Sequence, residues 1–182
     1  MTMNVTFEAT PNPATMKFNF ADKIADQTAD FPSVEATEKS PLAAKIFGFP
    51  WVSAVYIGEN FVTITKQDWV DWKVLAAPLS GLLAEHVTSG QPVMIELQKA
   101  NDEGENDSDL VKKMKRVLQN EIKPVVALDG GDIAFVKYEN TKLYVKMLGS
   151  CVGCPSSEAT LKQGIEVRIK EVFPEVSEVV SV

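Results

Sequence analysis

Cysteine and histidine, the soft ligands and nucleophiles of protein chemistry, are scarce in this chain: its 182 residues include two cysteines and one histidine. Two cysteines are too few for the disulfide scaffold of a small secreted protein, so a reducing compartment with both kept as thiols is expected. The lone histidine, His86, lies far from the cysteines in sequence, so one copy cannot assemble four soft ligands. No arginine precedes Arg116, and the start Met1-Thr2-Met3-Asn4-Val5-Thr6-Phe7-Glu8 lacks a basic opening, a long apolar stretch and a small-residue cleavage site. It does not read as a targeting peptide, and the expected location is the bacterial cytosol, or an organelle if a presequence has been removed. No apolar run approaches the roughly 18 to 20 residues of a membrane span, so no membrane role is expected. Positive charge is also short: the net charge is −7, which argues against broad nucleic-acid binding. A P-loop, a nucleotide-binding glycine fingerprint and a Ser/His/Asp triad are all missing.

The apolar fraction, 45%, suits a soluble globular protein, and the length allows two small domains. Near Gln98-Lys99-Ala100-Asn101-Asp102-Glu103-Gly104-Glu105-Asn106-Asp107-Ser108 hydrophobic periodicity disappears and acidic residues crowd together. This reads as a solvated linker, residues 91–107, between an N-terminal domain, 1–90, and a C-terminal domain, 108–182. From Leu110 onward there are 11 basic and 9 acidic residues, too mild an excess to imply nucleic acid.

In the first half, extended pieces from Val5 to Phe20 are interrupted by Pro11-Asn12-Pro13. Pro41 to Phe47 reads as a helix capped by Ser40, and Val52–Ile57 with Phe61–Thr65 as a hairpin. Trp72, Leu75, Leu79, Leu82 and Leu83 give Trp69 to His86 a helical stripe, with Pro78 expected to kink or divide it. In the second half, Ser108 or Asp107 caps a helix with the stripe Leu110, Met114, Val117, Leu118 and Ile122, limited by Pro124. Asp129-Gly130-Gly131 is a turn, strands follow around Ile133–Val136 and Leu143–Met147, and Glu139-Asn140-Thr141 reverses the chain. A last helix buries Leu161, Ile165, Ile169, Val172 and Phe173, and Val176–Val182 is a final strand. The fold class is α/β (α+β): two small domains, the second an α-β-β-α-β layer with helices on one face of a three-stranded mixed sheet.

Cys151 and Cys154 lie in Gly149-Ser150-Cys151-Val152-Gly153-Cys154-Pro155, between a strand-like and a helix-like run. The spacing lets both sulfurs face one ion or cluster, and a helix starting at Cys154 or Pro155 should lower the thiol pKa toward thiolate. Four uses compete. The pair can be two small buried apolar groups, or a thioredoxin-like disulfide, although a hairpin precedes it and the proline follows the second cysteine. It can supply half of a zinc site or half of an iron–sulfur site, each requiring two chains.

His86 reads as a surface or partly buried residue. Trp51, Trp69 and Trp72 read as core, with one of them available for a partner-binding patch. Lys112, Lys113, Lys115 and Arg116 read as the solvated face of a helix.

Three separated segments carry a resemblance. Leu128-Asp129-Gly130-Gly131-Asp132-Ile133-Ala134-Phe135-Val136, then Leu148 to Ser157 around the cysteines, then Thr160-Leu161-Lys162-Gln163-Gly164-Ile165-Glu166 resemble the C-terminal domain of NifU-like (Nfu-type) iron–sulfur scaffold proteins. The first half, from Phe7-Glu8-Ala9-Thr10-Pro11-Asn12-Pro13 through Trp69, resembles the N-terminal domain of Nfu proteins from α-proteobacteria and mitochondria. The resemblance implies a carrier rather than an enzyme. Cys151 and Cys154 would hold a labile 4Fe–4S cluster, with 2Fe–2S as the other option, between the two subunits of a homodimer. Apo iron–sulfur proteins would receive it, upstream donors would supply it, and the N-terminal domain would select partners or tune the carrier. The alternatives in view are a thiol–disulfide oxidoreductase and a dimeric zinc-binding module.

Overall fold

The computed structural model describes residues 3–95, 107–154 and 158–182, with the side chains of Glu158, Thr160 and Leu161 outside the description. The chain divides into two compact units, Met1–Lys99 and Ala100–Val182. Most of the acidic segment expected as a linker lies outside the described residues.

In the first unit β1 (Val5–Ala9), β2 (Thr15–Phe20), β3 (Ala29–Phe31), β4 (Val52–Ile57) and β5 (Phe61–Lys66) form one antiparallel sheet of order β1-β2-β5-β4-β3. The turn between β1 and β2 is held by Asn12, whose buried side chain accepts from the Ala14 amide at 3.0 Å. A 3-10 segment (Val34–Lys39) leads into α1 (Pro41–Phe47), where Ser40 Oγ accepts from the Ala43 amide at 3.0 Å and caps the helix. Trp51 and Trp72 meet edge to face inside this core, whereas Trp69 is exposed.

α2 (Trp72–Thr88) is not divided at Pro78. Pro78 lies on the exposed side, so the Val74 carbonyl that its missing N–H leaves unpaired can bond to water. The buried stripe of α2 is Trp72, Ala76, Leu79, Leu83 and His86. After α2 the chain returns to the same unit. Ser40 Oγ donates to the Val93 carbonyl at 2.6 Å, Ile95 N–H donates to the Lys39 carbonyl at 2.8 Å, and Val93 joins the core. Residues 93–95, at the start of the expected linker, are therefore strapped to the first unit.

The second unit opens with α3 (Asp109–Val117), capped by Ser108 Oγ, which accepts from the Val111 amide at 3.3 Å. The helix does not stop at Pro124. It passes through a π-helical turn (Leu118–Ile122) into α4 (Lys123–Leu128). The Lys123 N–H reaches back five residues to the Leu118 carbonyl, and this wider turn accommodates the proline, which has no N–H to donate.

β6 (Gly131–Glu139) and β7 (Lys142–Gly149) form a hairpin through Asn140 and Thr141, both at positive φ. That two-residue turn matches the twist of the strands, and Asn140 suits it better than the β-branched Thr141. α5 (Glu158–Val172) crosses over to β8 (Glu178–Ser181), which pairs parallel to β7. The mixed sheet has the order β6-β7-β8. Ile133, Leu143, Val145, Met147 and Val179 from the strands pack with Met114, Leu118, Ile122, Val126, Ile165 and Ile169 from the helices and with Phe173 just after α5. The expected α-β-β-α-β layer is present, with its helices on one sheet face.

Candidate functional site

The cysteine turn connects β7 to the segment before α5, and glycines allow it to form. Gly149 and Gly153 have φ of +63° and +66°, a region that a Cβ disfavours, so the backbone can reverse within a few residues. Hydrogen bonds then pin the turn. Val152 N–H donates to the Gly149 carbonyl at 3.2 Å, and Ser150 N–H donates to the Gly130 carbonyl at 3.2 Å. Ser150 Oγ donates to the Asp129 carbonyl. The cysteine turn is thus laced to the turn that ends α4.

Both cysteine side chains lie inside. Cys151 is 3% exposed and Cys154 0%, while Val152 and Gly153 between them face solvent. Cys151 is part of the hydrophobic cluster, and its sulfur occupies the space beside Gly131. A Cβ at position 131 would lie 2.1 Å from Cys151 Sγ, so a side chain there would evict the sulfur. The hairpin register makes this meeting: Gly131 pairs with Gly149.

Burial pushes the Cys151 thiol up from 9.0 to about 11. Hydrogen bonding with Ser150 acts in the opposite direction, and Asp129, Cys154 and Asp132 add weaker upward pushes. This reverses the expectation of a lowered thiol pKa. The described part of α5 begins at Glu158, Cys154 lies outside it, and loss of solvation dominates. The expected helix start at Pro155 falls outside the described residues.

Asp132, below this turn, is buried. Its Oδ1 accepts from the Ile133 amide at 2.7 Å, and Oδ2 lies 3.4 Å from Lys123 Nζ. Among the described residues no three His, Cys, Asp or Glu side chains gather to hold a metal ion. Cys151 and Cys154 are the free thiols of this turn, and thiolate sulfur is a ligand for soft metals.

His86, expected at the surface or partly buried, is fully buried in the first unit at 1% exposed. Its Nε2 lies 3.1 Å from the Pro92 carbonyl, which can only accept, so Nε2 carries the proton. Nδ1 is buried without a hydrogen-bond partner. A signal existed, since His86 continues the spacing of Leu79 and Leu83. The seat beside Gly131 and the Ser150 tether were missed. Counting back along the hairpin from Asn140 with one bulge allowed would have brought Gly131 against Gly149.

Comparison with known proteins identifies the two halves of the chain. Residues 5–90 match the family model described as the scaffold protein Nfu/NifU N terminal, and residues 114–180 match the NifU-like domain. The Drosophila willistoni "NFU1 iron-sulfur cluster scaffold homolog, mitochondrial" is 36% identical over 98% of this chain and 63% of its own length. The Arabidopsis thaliana "NifU-like protein 4, mitochondrial" is 37% identical over 96% of this chain and 64% of its own. The human "NFU1 iron-sulfur cluster scaffold homolog, mitochondrial" is 34% identical over 96% of this chain and 70% of its own. The chain thus spans a little under two thirds of the fly and plant relatives. All three are named mitochondrial, so they give the expected bacterial cytosol no support. With both domains matched in order and relatives similar over nearly its whole length, the chain belongs to the Nfu (NifU-like) family of iron–sulfur cluster scaffold proteins.

Proposed function

We propose that this chain carries a labile 4Fe–4S cluster, bound by Cys151 and Cys154 from each of two copies, and hands it to apo iron–sulfur proteins. The observation that carries this reading is the pair itself: two thiols on one short turn, with no third soft ligand gathered beside them among the described residues. A 4Fe–4S cluster takes about four thiolates, so two chains complete it. The cluster is cargo and no substrate bond is cut, which makes the protein a carrier rather than an enzyme. A 2Fe–2S cargo is the other option for the same four sulfurs. Upstream donors supply the cluster, and the mitochondrial names of the relatives favour the mitochondrial matrix as the place of work.

The burial of both sulfurs adds a step. A second copy cannot reach them where they lie, so loading requires the 149–154 turn to swing outward. Gly149 and Gly153 are the natural hinges, since their backbone angles lie outside the comfortable range of other residues. Thiols become thiolates on metal binding, so iron replaces two protons per chain, and the raised Cys151 pKa makes proton release part of the loading equilibrium. The same burial counts against a thiol–disulfide oxidoreductase, whose attacking thiol must be accessible and low in pKa.

Anaerobic reconstitution with iron and sulfide tests this, with visible spectrum, iron content and oligomeric mass read together. The expected product is a brown dimer holding about four irons per two chains, absent from Cys151→Ala/Cys154→Ala. A colourless monomer that reduces disulfides would overturn the proposal, as would a colourless dimer holding one zinc.

A further inference from the structure

α3 and the π-helical turn after it carry two stripes. Met114 and Leu118, four residues apart, are 0% and 2% exposed and sit in the core. Beside them Leu110, Lys113, Val117 and Asn120 follow at steps of three, four and three, along a second line of the same helix. Leu110 and Val117 are only partly buried against the core. This second line borders a groove of about 540 Å³, whose other wall is Val172, Phe173 and Glu175 at and just beyond the end of α5. Arg168 of α5 ties the two walls together. Its Nη2 and Nε lie 2.6 and 2.8 Å from Glu121 Oε2, so that carboxylate is already paired. Lys113 and Arg116 line the groove on the α3 side. Among the described residues no carboxylate pairs with either, although Asp107 holds their neighbour Lys115 at 2.6 Å.

We infer that this groove is the docking site for an amphipathic helix of a partner protein, with Asp and Glu flanking its apolar stripe on the side that meets α3. The proposal stands apart from the shared-cluster reading, since it needs neither metal nor thiol. Spacing is its first support. Steps of three and four give the seam along which one helix packs on another, and the groove between α3 and the end of α5 presents such a seam uncovered. Leu110, Val117, Val172 and Phe173 supply the apolar contact that an incoming stripe would bury. Charge is the second. Lys113 and Arg116 stand without a counter-charge beside that apolar strip, so an acidic flank meets two cations at contact range. From Leu110 onward the chain has 11 basic and 9 acidic residues, so this half does not repel an acidic partner. Glu175 on the far wall sets the direction, because the opposite flank of the partner must be neutral or basic there.

The test uses the metal-free full chain and a synthetic helix of about 16 residues, with leucines at steps of three and four, flanking glutamates and a terminal fluorophore. Fluorescence anisotropy at about 0.15 M salt reads its affinity. The wild type is expected to bind this peptide about tenfold or more tightly than a version with lysine in place of every glutamate. Lys113→Glu/Arg116→Glu is expected to invert that preference, gaining the lysine peptide as it loses the glutamate one, which a damaged fold would not do. Lys45→Glu/Lys73→Glu makes the same change of charge on exposed residues of the first unit and is expected to leave both affinities as they were. Three results overturn the groove: no binding of the glutamate peptide at about 1 mM, binding that Lys113→Glu/Arg116→Glu leaves unchanged, or an equal loss in the first-unit control. Two others overturn the partner helix and name a different occupant. A metal-free dimer that Lys113→Glu/Arg116→Glu splits, read by native mass, would give the groove to a second copy. Peptide binding that appears only in Asp102→Asn/Glu103→Gln/Glu105→Gln would give it to the acidic stretch of the chain itself.

Discussion

Gly131 and Cys151 share one small volume, and this contact governs the chemistry of the metal-free chain. Gly131→Ala places a methyl where the sulfur sits, so the expected result is a destabilisation of about 1 to 3 kcal/mol, typical of overpacking. The same variant should let Cys151 react faster with iodoacetamide, because the displaced sulfur moves toward solvent. Mass spectrometry of the alkylated peptide reads this; an unchanged rate and melting temperature would mean that the sulfur does not occupy that seat. The raised thiol pKa has a definite sign. Folding holds the Cys151 proton more tightly than the unfolded chain does, so its contribution is complete below pH 9 and is lost as pH rises toward 11. Between pH 8 and pH 10.5 the metal-free wild type should lose about 1 to 3 kcal/mol more stability than Cys151→Ala. Urea unfolding at the two pH values checks it, and equal losses would count against the buried thiol.

Ser40 joins two elements. Its hydroxyl oxygen caps α1 by accepting from Ala43, and its proton goes to the Val93 carbonyl in the strap after α2. Ser40→Ala removes both bonds in a fully buried place and should cost the first unit about 1 to 2 kcal/mol. Limited proteolysis should then cut earlier near residues 91–95, whereas an unchanged cleavage pattern would show that His86 and Ile95 hold the strap alone. Proline was the least legible residue in the sequence. Pro78 and Pro124 both read as breaks, and neither ends its helix. Pro78 stands on the solvent side, where water can take the orphaned carbonyl. Pro124 is absorbed by one widened turn. The rule that proline costs a hydrogen bond held in both places, but the surroundings that make the loss tolerable depend on which side of the helix faces the core.

At the scale of the molecule, two units with separate cores are joined through a segment rich in acid, and the proposed chemistry lies in the second. If two chains share the cargo, its removal should undo the assembly. Stripping iron from the loaded dimer with a chelator is expected to return monomers in light scattering, and adding iron and sulfide should bring the dimer back. A dimer that survives stripping would mean that protein contacts alone hold the two copies together. The first unit contains no cysteine, and its exposed Trp69 stands apart from the packed Trp51 and Trp72.

The order of elements in the second unit, the hairpins, the serine caps and the family were readable in the sequence. These depend on neighbours within a few residues, on periodicity, or on motifs that stand in order along the chain. Where the thiols lie was not readable. The seat of Cys151 depends on a strand that begins twenty residues earlier and leaves room for its sulfur because the first residue of that strand is glycine. That long-range meeting turned an expected activated thiolate into a shielded thiol, because loss of solvation disfavours the charged form once water is excluded. The fate of His86 followed the same logic. The sequence carried its spacing, but only packing against the sheet and the Pro92 carbonyl decided that it would be buried.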